Sequence, residues 1–451
     1  MRPFEVLSMR RAAVKMLAVA VSVMLAPLPA AATKIVRVVS PSGIEAWLVE
    51  DHAIPLVALD FTFAGGANED PADKPGVAHM VSSLLDEGAG DLDGKAFHER
   101  LEDRAVEIAF DAGRDYFHGS VRTLVENRDD AFDLLRLALT AARFEGDAVE
   151  RIRAQLLTAL RRDSTNPGDI ASRRWWEVAF PNHPYGRPAR GSLESIPRIA
   201  VDDLKAFVRR VFARERLKIA VVGDIDAATA GRLVDEVFSG LPAQAELRPV
   251  AAAGPQGLGQ HIVIDLDVPQ AVVVFGGPGI GRRDPDFFAA VLVNHILGGG
   301  AMSSRLYTEV REKRGLAYTI HTGLLPLDHA ALWIGSTGTR VDKTAETLSI
   351  IENEIKRFAE VGPSVDELAK AKSFLEGSYA LGFDSSTKIA GQLVQIQQDQ
   401  LGIDYIDRRN GLIEAVTAAD VKRVAQRLLD GPMLYTVVGR PPAVAVKDPR
   451  G

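Results

Sequence analysis

Residues 294–318 read NHILGGGAMSSRLYTEVREKRGLAY, and this stretch shapes the second half of the chain. Its three consecutive glycines let the backbone turn tightly after a helix and approach neighbouring backbone closely. Ser303 or Ser304 can cap the helix that follows, because a serine hydroxyl accepts a bond from a free backbone N–H group at a helix start. Gly315 ends this helix, in a position where a left-handed residue is favoured. The stretch therefore predicts two helices joined by a tight turn.

Residues 316–322 follow as an apolar strand, so the second helix and the strand form a hairpin. We expect this hairpin to bring Arg311, in the last helical turn, close to Tyr318, near the start of the strand. Two simpler interpretations stay open from the residues alone. Tyr318 shares a strand face with Leu316 and Ile320 and could be a core residue. Arg311 could be an ordinary solvated helix residue beside two glutamates.

The two halves of the chain repeat one pattern. Residues 201–207 begin an amphipathic helix, and residues 217–223 form an apolar strand that ends in Val-Val-Gly. Residues 418–424 and 433–439 repeat the helix and the strand ending. The sequence therefore predicts a tandem duplication whose repeat is a whole domain, not a short solenoid unit.

Grouped strands and long helices in each half indicate an α+β fold. We expect two homologous tandem domains, each a mixed, mostly antiparallel sheet with helices packed on one face. The expected N-terminal domain spans 33–240, and the C-terminal domain spans 261–451. Residues 241–260 are rich in Ala, Pro, Gly and Gln without periodicity, which is typical of an interdomain linker.

Residues 1–32 are expected to be a secretory signal peptide, outside the fold. Arg10, Arg11 and Lys15 form a basic region, 16–28 is an apolar stretch, and a run of alanines then supplies a cleavage site. The alternative is an uncleaved anchor, but the apolar stretch is short for a bilayer. No later stretch approaches the ~20 continuous apolar residues of a membrane helix. We therefore expect an exported protein with no stable membrane span after signal cleavage.

The composition narrows the function classes. The chain has 451 residues, a formal net charge of -7 and no cysteine. No block of basic residues points to nucleic acid as a partner. Without cysteine, the chain has no disulfide, no thiol nucleophile and no thiolate metal site.

Residues 76–88, GVAHMVSSLLDEG, look like a damaged zinc motif. In the intact motif, H-x-x-E-H, two histidines four residues apart lie on one helical face and bind Zn²⁺, and the glutamate activates the bound water. His79 keeps the first ligand position, but Ser82 stands at the glutamate position and Ser83 at the second histidine position. A serine hydroxyl is a poor zinc ligand and cannot act as the general base.

At this point the chain resembles the pitrilysin/insulinase family of inverted-zincin metallopeptidases, from about residue 36 to residue 439. In that family a further glutamate, seven residues after a Glu-Arg pair, completes the zinc site. Here Glu150 and Arg151 form the pair, and the position seven residues after Glu150 holds Leu157. Only His79 remains of the four positions, and a catalytic zinc site needs three protein ligands. His79 is therefore expected to be a packed helix histidine, and we expect no metal bound by this chain.

The stretch 294–318 is similar to the C-terminal-domain motif of the same family. The resemblance implies that Arg311 and Tyr318 are the family's substrate-binding pair, which donates hydrogen bonds to a substrate carbonyl. Two further similar segments, 183–196 and 111–115, are interpreted as parts of the fold.

Taken with the lost zinc positions, the resemblance implies a substrate-binding subunit of a periplasmic bacterial peptidase. Its expected partner is a homologous subunit with an intact H-x-x-E-H motif and the zinc, and its expected substrate is an extended peptide. One alternative is a non-enzymatic assembly or peptide-binding protein of the same fold. Another is an independent peptidase with a rearranged metal site.

Overall fold

The computed structural model describes residues 34–440. The expected signal peptide at 1–32 lies outside the described residues. Within 34–440, no helix is both long enough and apolar enough to cross a membrane.

The first half builds a six-stranded sheet in the order β1-β2-β8-β3-β7-β6. Strands β2 and β8 run parallel, and the other neighbours run antiparallel. A two-stranded ribbon, β4 with β5, stands apart from the sheet. The strands of this half are β1 Ile35–Val39, β2 Glu45–Glu50, β3 Leu56–Ala64, β4 Gly88–Ala89, β5 Leu92–Asp93, β6 Glu107–Ala112, β7 Tyr116–Leu124 and β8 Lys218–Gly223.

Among residues 34–440, seven α-helices belong to the first half. They are α1 Val77–Ser82, α2 Gly94–Asp103, α3 Arg128–Thr140, α4 Gly146–Asp163, α5 Pro167–Ala179, α6 Val201–Val211 and α7 Ala227–Phe238. Apolar side chains of six of them, all except α5, pack with one face of the sheet into a single core that is rich in phenylalanine. At its centre the rings of Phe63 and Phe212 stack with their centroids 4.7 Å apart.

The second half builds a five-stranded sheet in the order β11-β12-β10-β13-β9. Strands β13 and β9 run parallel, and the other neighbours run antiparallel. The strands are β9 His261–Ile264, β10 Gln270–Pro278, β11 Ala317–Pro326, β12 Ala331–Arg340 and β13 Leu434–Val438.

Up to residue 440, where the described part of the chain ends, seven further α-helices belong to this half. They are α8 Phe287–Asn294, α9 Arg305–Tyr307, α10 Thr344–Val361, α11 Val365–Tyr379, α12 Ser386–Gln398, α13 Tyr405–Glu414 and α14 Ala418–Leu429. Read from its β6 edge, the first sheet has the same pattern of order and direction as the second sheet read from β11, with β1 added at the far edge. The predicted α+β class and the two mixed, mostly antiparallel sheets are confirmed.

One helix of each half packs on the sheet of the other half. Helix α5 covers β10 and β13 of the second sheet, and α12 covers β3 and β8 of the first. The expected helices on one face are present, but the opposite face of each sheet is also covered, by the helix from the other half. An amphipathic pattern shows that a helix has an apolar face, but does not show which sheet that face will meet.

Hydrogen bonds fix both of these exchanged helices. The indole N–H of Trp175 on α5 donates to the carbonyl of Leu434, at 3.2 Å. The side-chain amide of Gln397 on α12 donates to the carbonyl of Ile219, at 2.9 Å. Trp175 is fully buried, so the helix exchange forms part of the core of the protein.

Candidate functional site

The helix with the damaged zinc motif, α1, is short and firmly anchored. Its first N–H groups point at Asp70, where the carboxylate oxygens accept from the backbone N–H of Gly76 at 2.6 Å and of Ala78 at 2.9 Å. A carboxylate at this end of a helix satisfies free N–H groups and complements the helix dipole. The helix therefore keeps its position by its own contacts.

The two serines of the motif are occupied with their own backbone. The hydroxyls of Ser82 and Ser83 both donate to the carbonyl of His79, at 2.8 and 3.0 Å. Helix α1 ends at Ser82, so these bonds close its last turn. At the positions where the motif would place a base and a ligand, the chain has two hydroxyls turned back onto the helix.

His79 is half-buried, and burial lowers the pKa of its imidazole. The nearby Arg190 lowers this pKa further, although Asp111 opposes it. His79 is therefore neutral near pH 7. It has the protonation state of a ligand but lacks the other side chains that a zinc ion requires.

Helix α4, which would supply the last zinc ligand, contributes apolar packing instead. Leu157 is partly buried and packs against the core of the first half. Glu150 lies on the surface and pairs with Arg153, at 3.2 Å. Within residues 34–440, no three His, Asp or Glu side chains come together in a group that could hold a metal ion.

An ion pair that the sequence analysis did not predict joins α4 to the segment after α1. The guanidinium of Arg151 donates two hydrogen bonds to the carboxylate of Glu87, at 2.9 and 2.6 Å. This pair lowers the pKa of Glu87 and gives a bidentate contact with defined geometry. It ties α4 to the segment that follows the motif of α1. Its partners are 64 residues apart, and no local pattern indicates the contact.

The glycine-rich stretch of the second half folds tightly against β11. A π-helical turn at His295–Gly299 ends α8, and a second one at Thr308–Glu312 carries Arg311. A Cβ atom on Gly298 would lie 2.5 Å from the hydroxyl oxygen of Thr322, so only glycine allows this close approach. Gly315 has a φ of 62°, in the left-handed region, as expected for the end of this helix.

The expected serine capping bond of α9 does not form. Ser304 occupies the N-cap position, but its hydroxyl donates to the carbonyl of Ala301 at 2.8 Å and makes no capping bond. Ala301 has a φ of 46°, which is unusual for a residue with a side chain. The hydroxyl of Ser303 closes the same turn through a bond to the carbonyl of Gly300, also at 2.8 Å. Both serines therefore stabilise the turn before α9.

Arg311 and Tyr318 lie side by side, as the hairpin predicts. The guanidinium carbon of Arg311 is 4.9 Å from the centroid of the Tyr318 ring and 4.9 Å from that of Tyr307. Contacts at this distance between a guanidinium and aromatic faces are attractive. Tyr307 was not predicted to take part. Its position four residues before Arg311 on the same helical surface is the signal that could have indicated it.

The structure excludes the interpretation that Tyr318 is a core residue. Its side chain is 77% exposed, whereas Ile320 is 2% exposed. A β-bulge between Ala317 and Ile320 inserts one extra residue opposite β12, so Tyr318 and Ile320 point to opposite sides. Strand β11 is also the edge strand of its sheet. The Tyr318 hydroxyl is therefore accessible beside a free sheet edge.

A separate arginine of the same stretch holds α9 in place. The guanidinium of Arg305 donates to both carboxylate oxygens of Glu367, at 2.6 and 2.8 Å, and lies 4.6 Å from the centroid of Phe358. The ion pair lowers the pKa of Glu367 to about 2. Arg305 is thus engaged in the fold.

The fold and the site define a metallopeptidase-like protein with two similar sheets, and its residues 34–440 lack the zinc-ligand set. Residues 198–375 match the family model described as Peptidase M16 inactive domain. This match does not include α1, so the loss of the zinc site rests on the residues of α1 and α4 themselves.

Two named relatives and a solved structure match most of this chain. The non-peptidase homolog YmxG of Helicobacter pylori is 27% identical over 74% of this chain and 77% of its own length. An uncharacterized zinc protease of Streptomyces coelicolor is 28% identical over 83% of each chain. A crystal structure of a peptidase M16 inactive domain from Pseudomonas fluorescens superposes with a TM-score of 0.85 at 28% identity, over 91% of this chain and 98% of that one. The family model, the relatives and the fold thus make this chain similar to the M16, or pitrilysin, family.

Proposed function

We propose that this chain is the non-catalytic, substrate-binding subunit of an exported zinc metallopeptidase that works as a heterodimer. A homologous partner with an intact H-x-x-E-H motif would carry the zinc and hydrolyse the peptide. This chain would orient the peptide. The proposal rests on one contrast: the zinc positions have lost their chemistry, whereas Tyr318 is exposed and the half-buried Arg311 already lies against its ring.

The chemistry of the pair suits a peptide carbonyl. Arg311 stays charged and donates through a planar fork, and Tyr318 adds a phenolic O–H donor. Donors of this kind stabilise the oxyanion that develops when water attacks a carbonyl, and each can contribute about 3 kcal/mol. Two flanking rings limit the motion of the Arg311 guanidinium, so less entropy is lost when a substrate binds.

The sheet edges support an extended peptide as the substrate. Strands β6 and β11 each end a sheet with one side unpaired among the described residues. An extended peptide can add to such an edge through main-chain hydrogen bonds, which is a general mode of peptide recognition. At β11 the added peptide would lie beside the bulge that exposes Tyr318.

Reconstitution with a zinc-bearing homologue tests this proposal. The complex is expected to cleave an unstructured peptide, and each chain alone is not. Arg311→Ala should lower kcat/KM by about 100-fold and Tyr318→Phe by about tenfold, with assembly unchanged. Arg314→Ala is the matched control, because Arg314 lies three residues away and pairs with Glu309. Unchanged cleavage by both variants would show that the pair has no role.

A second candidate function is that of a non-enzymatic assembly or peptide-binding protein. The name of the Helicobacter pylori relative, a non-peptidase homolog, favours it. A pull-down from the native bacterium distinguishes the two candidate functions. A zinc-bearing M16 partner supports the peptidase, and a stable scaffold complex without peptidase activity supports the alternative.

A further inference from the structure

A cleft of about 200 Å³ lies in the first half, between α4, α5 and the loop at 186–191. Arg114 belongs to the segment 111–115 and the loop belongs to the segment 183–196. The sequence predicts only a role in the fold for both segments. The charged lining of the cleft consists of Arg114, Arg173, Arg187, Arg190, Asp163 and Asp169. Four arginines thus face two aspartates in one small space.

Arg114 has no ion-pair partner among residues 34–440, although the charge of the nearby Asp115 favours its charged form. Its guanidinium carbon lies 3.7 Å from the centroid of the Trp176 ring, and one N–H group donates to the carbonyl of Tyr185 at 2.8 Å. Within residues 34–440, its guanidinium forms no ion pair. The neighbouring Asp115 carboxylate instead accepts from the hydroxyl of Tyr185, at 2.6 Å. Burial lowers the pKa of Arg114 to about 10, which reflects the cost of keeping this charge away from water.

Arg187 is in a similar position. Its terminal N–H groups donate to the main-chain carbonyls of Asp70 at 2.8 Å and Asn68 at 3.2 Å. Its Nε atom is buried and has no hydrogen-bond partner among the described residues. No carboxylate within residues 34–440 forms an ion pair with it. Within the described part of the chain, two guanidinium groups in one cleft therefore donate hydrogen bonds to neutral carbonyl oxygens alone.

The two aspartates do not neutralise this charge. Asp163 lies 3.1 Å from Arg190, an arginine at the mouth of the cleft that is more than half exposed. Asp169, in the first turn of α5, makes no ion pair within residues 34–440. A buried positive charge without a paired anion is costly, and an anionic ligand would remove that cost.

We propose that this cleft binds one carboxylate group of a peptide, either the C-terminal carboxylate or an aspartate or glutamate side chain. The planar guanidinium fork matches a carboxylate in a bidentate geometry. The volume is below the roughly 300–1,000 Å³ of sites for drug-sized ligands, so it suits a single group. The anion site stands on its own geometry, and the choice of a peptide as its source rests on the proposed function.

Calorimetry on the isolated mature chain, without a partner subunit, tests this site. Three probes are N-acetyl-trialanine with a free carboxylate, the same peptide as its amide, and N-acetyl-Ala-Glu-Ala amide. Binding of the first or the third, without binding of the amide, supports the site and identifies which carboxylate it accepts. Failure of both acidic peptides to bind in the millimolar range overturns the proposal.

Variants give the second readout. Arg114→Gln is expected to weaken binding of the acidic probe by about tenfold, and Arg190→Gln, at the exposed mouth, by about threefold. Arg440→Gln is the control, because Arg440 pairs with Asp265 in the second half. If Arg114→Gln does not fold, the Arg190→Gln result decides. Unchanged binding in a folded cleft variant overturns the proposal, and leaves the role of Arg311 and Tyr318 untouched because no cleavage is measured.

Discussion

The guanidinium carbon of Arg311 lies 4.9 Å from the centroid of the Tyr318 ring, although 77% of the Tyr318 side chain is exposed. An exposed tyrosine does not contribute to the core. Its orientation comes from a bulge at the start of an edge strand, a feature often found beside functional sites. The contact therefore arranges two hydrogen-bond donors at the surface.

The contributions of the planar guanidinium geometry and of the positive charge of Arg311 can be tested separately. Arg311→Lys keeps the positive charge but loses the bidentate donor geometry and most of the contact with the two rings. We expect kcat/KM of the reconstituted complex to fall by about tenfold, less than for Arg311→Ala. Peptide cleavage kinetics measure this. Full activity of the lysine variant would mean that only charge is needed.

His79 is expected to have no residual metal role. His79→Ala should leave both the zinc content of the purified chain and the cleavage rate of the complex unchanged, because one imidazole cannot hold a catalytic zinc ion. Elemental analysis of the isolated chain after dialysis measures the metal directly. Stoichiometric zinc in the wild-type chain, lost in His79→Ala, would contradict the prediction and favour a rearranged metal site.

The exchange of helices between the halves predicts cooperative unfolding. Trp175→Ala removes a fully buried ring from the contact between α5 and the second sheet and should lower the free energy of unfolding by about 3–5 kcal/mol. Denaturant titration followed by circular dichroism measures the loss. Arg174→Ala, on the exposed side of the same helix, should change it by no more than about 0.5 kcal/mol. If Trp175→Ala lowered the stability of the first half alone and left that of the second half unchanged, the two halves would not unfold as one unit.

The Arg305–Glu367 pair predicts acid sensitivity. Arg305 holds the pKa of Glu367 at about 2 in the folded chain, below its ordinary value of 4.5. The unfolded chain therefore binds a proton more readily, and stability decreases as the pH falls from about 4.5 to about 2. The melting temperature, measured at several pH values between pH 6 and pH 3, reports this decrease in stability.

Glu367→Gln cannot titrate at this position and should reduce the pH dependence over that interval. Asp366→Asn is the control, because Asp366 pairs with Lys370 on the surface, where both side chains are mostly exposed. Identical pH profiles for the wild type and Glu367→Gln would show that the ion pair does not stabilise the fold.

Local patterns in the sequence were sufficient to predict the Arg311–Tyr318 contact. The two residues are seven positions apart in the chain. Because the helix ends at a glycine and the strand begins directly after it, the hairpin keeps their side chains close together. The loss of ligands at Ser82, Ser83 and Leu157 is likewise a matter of side-chain chemistry, which the sequence states directly. Predictions that depend on residue identity and short spacing were therefore the reliable ones.

Features that depend on distant partners were not predictable. The bulge at Tyr318 arises from the register between β11 and β12, and alternation within one strand suggested the opposite orientation. The Arg151–Glu87 pair and the arginine cleft each join segments that are far apart in the chain. One sequence shows which charges exist, but the tertiary fold decides which of them meet.

The packing of α12 on the first sheet also bears on biosynthesis. When the ribosome has completed the first 240 residues, Trp47 and Val222 still lack the helix that covers them, since residues 386–398 have yet to be made. A gene fragment that encodes one half would leave an apolar sheet face bare and prone to aggregate. Splitting the gene between the two halves would therefore be unfavourable, because each half supplies the helix that covers one sheet face of the other half.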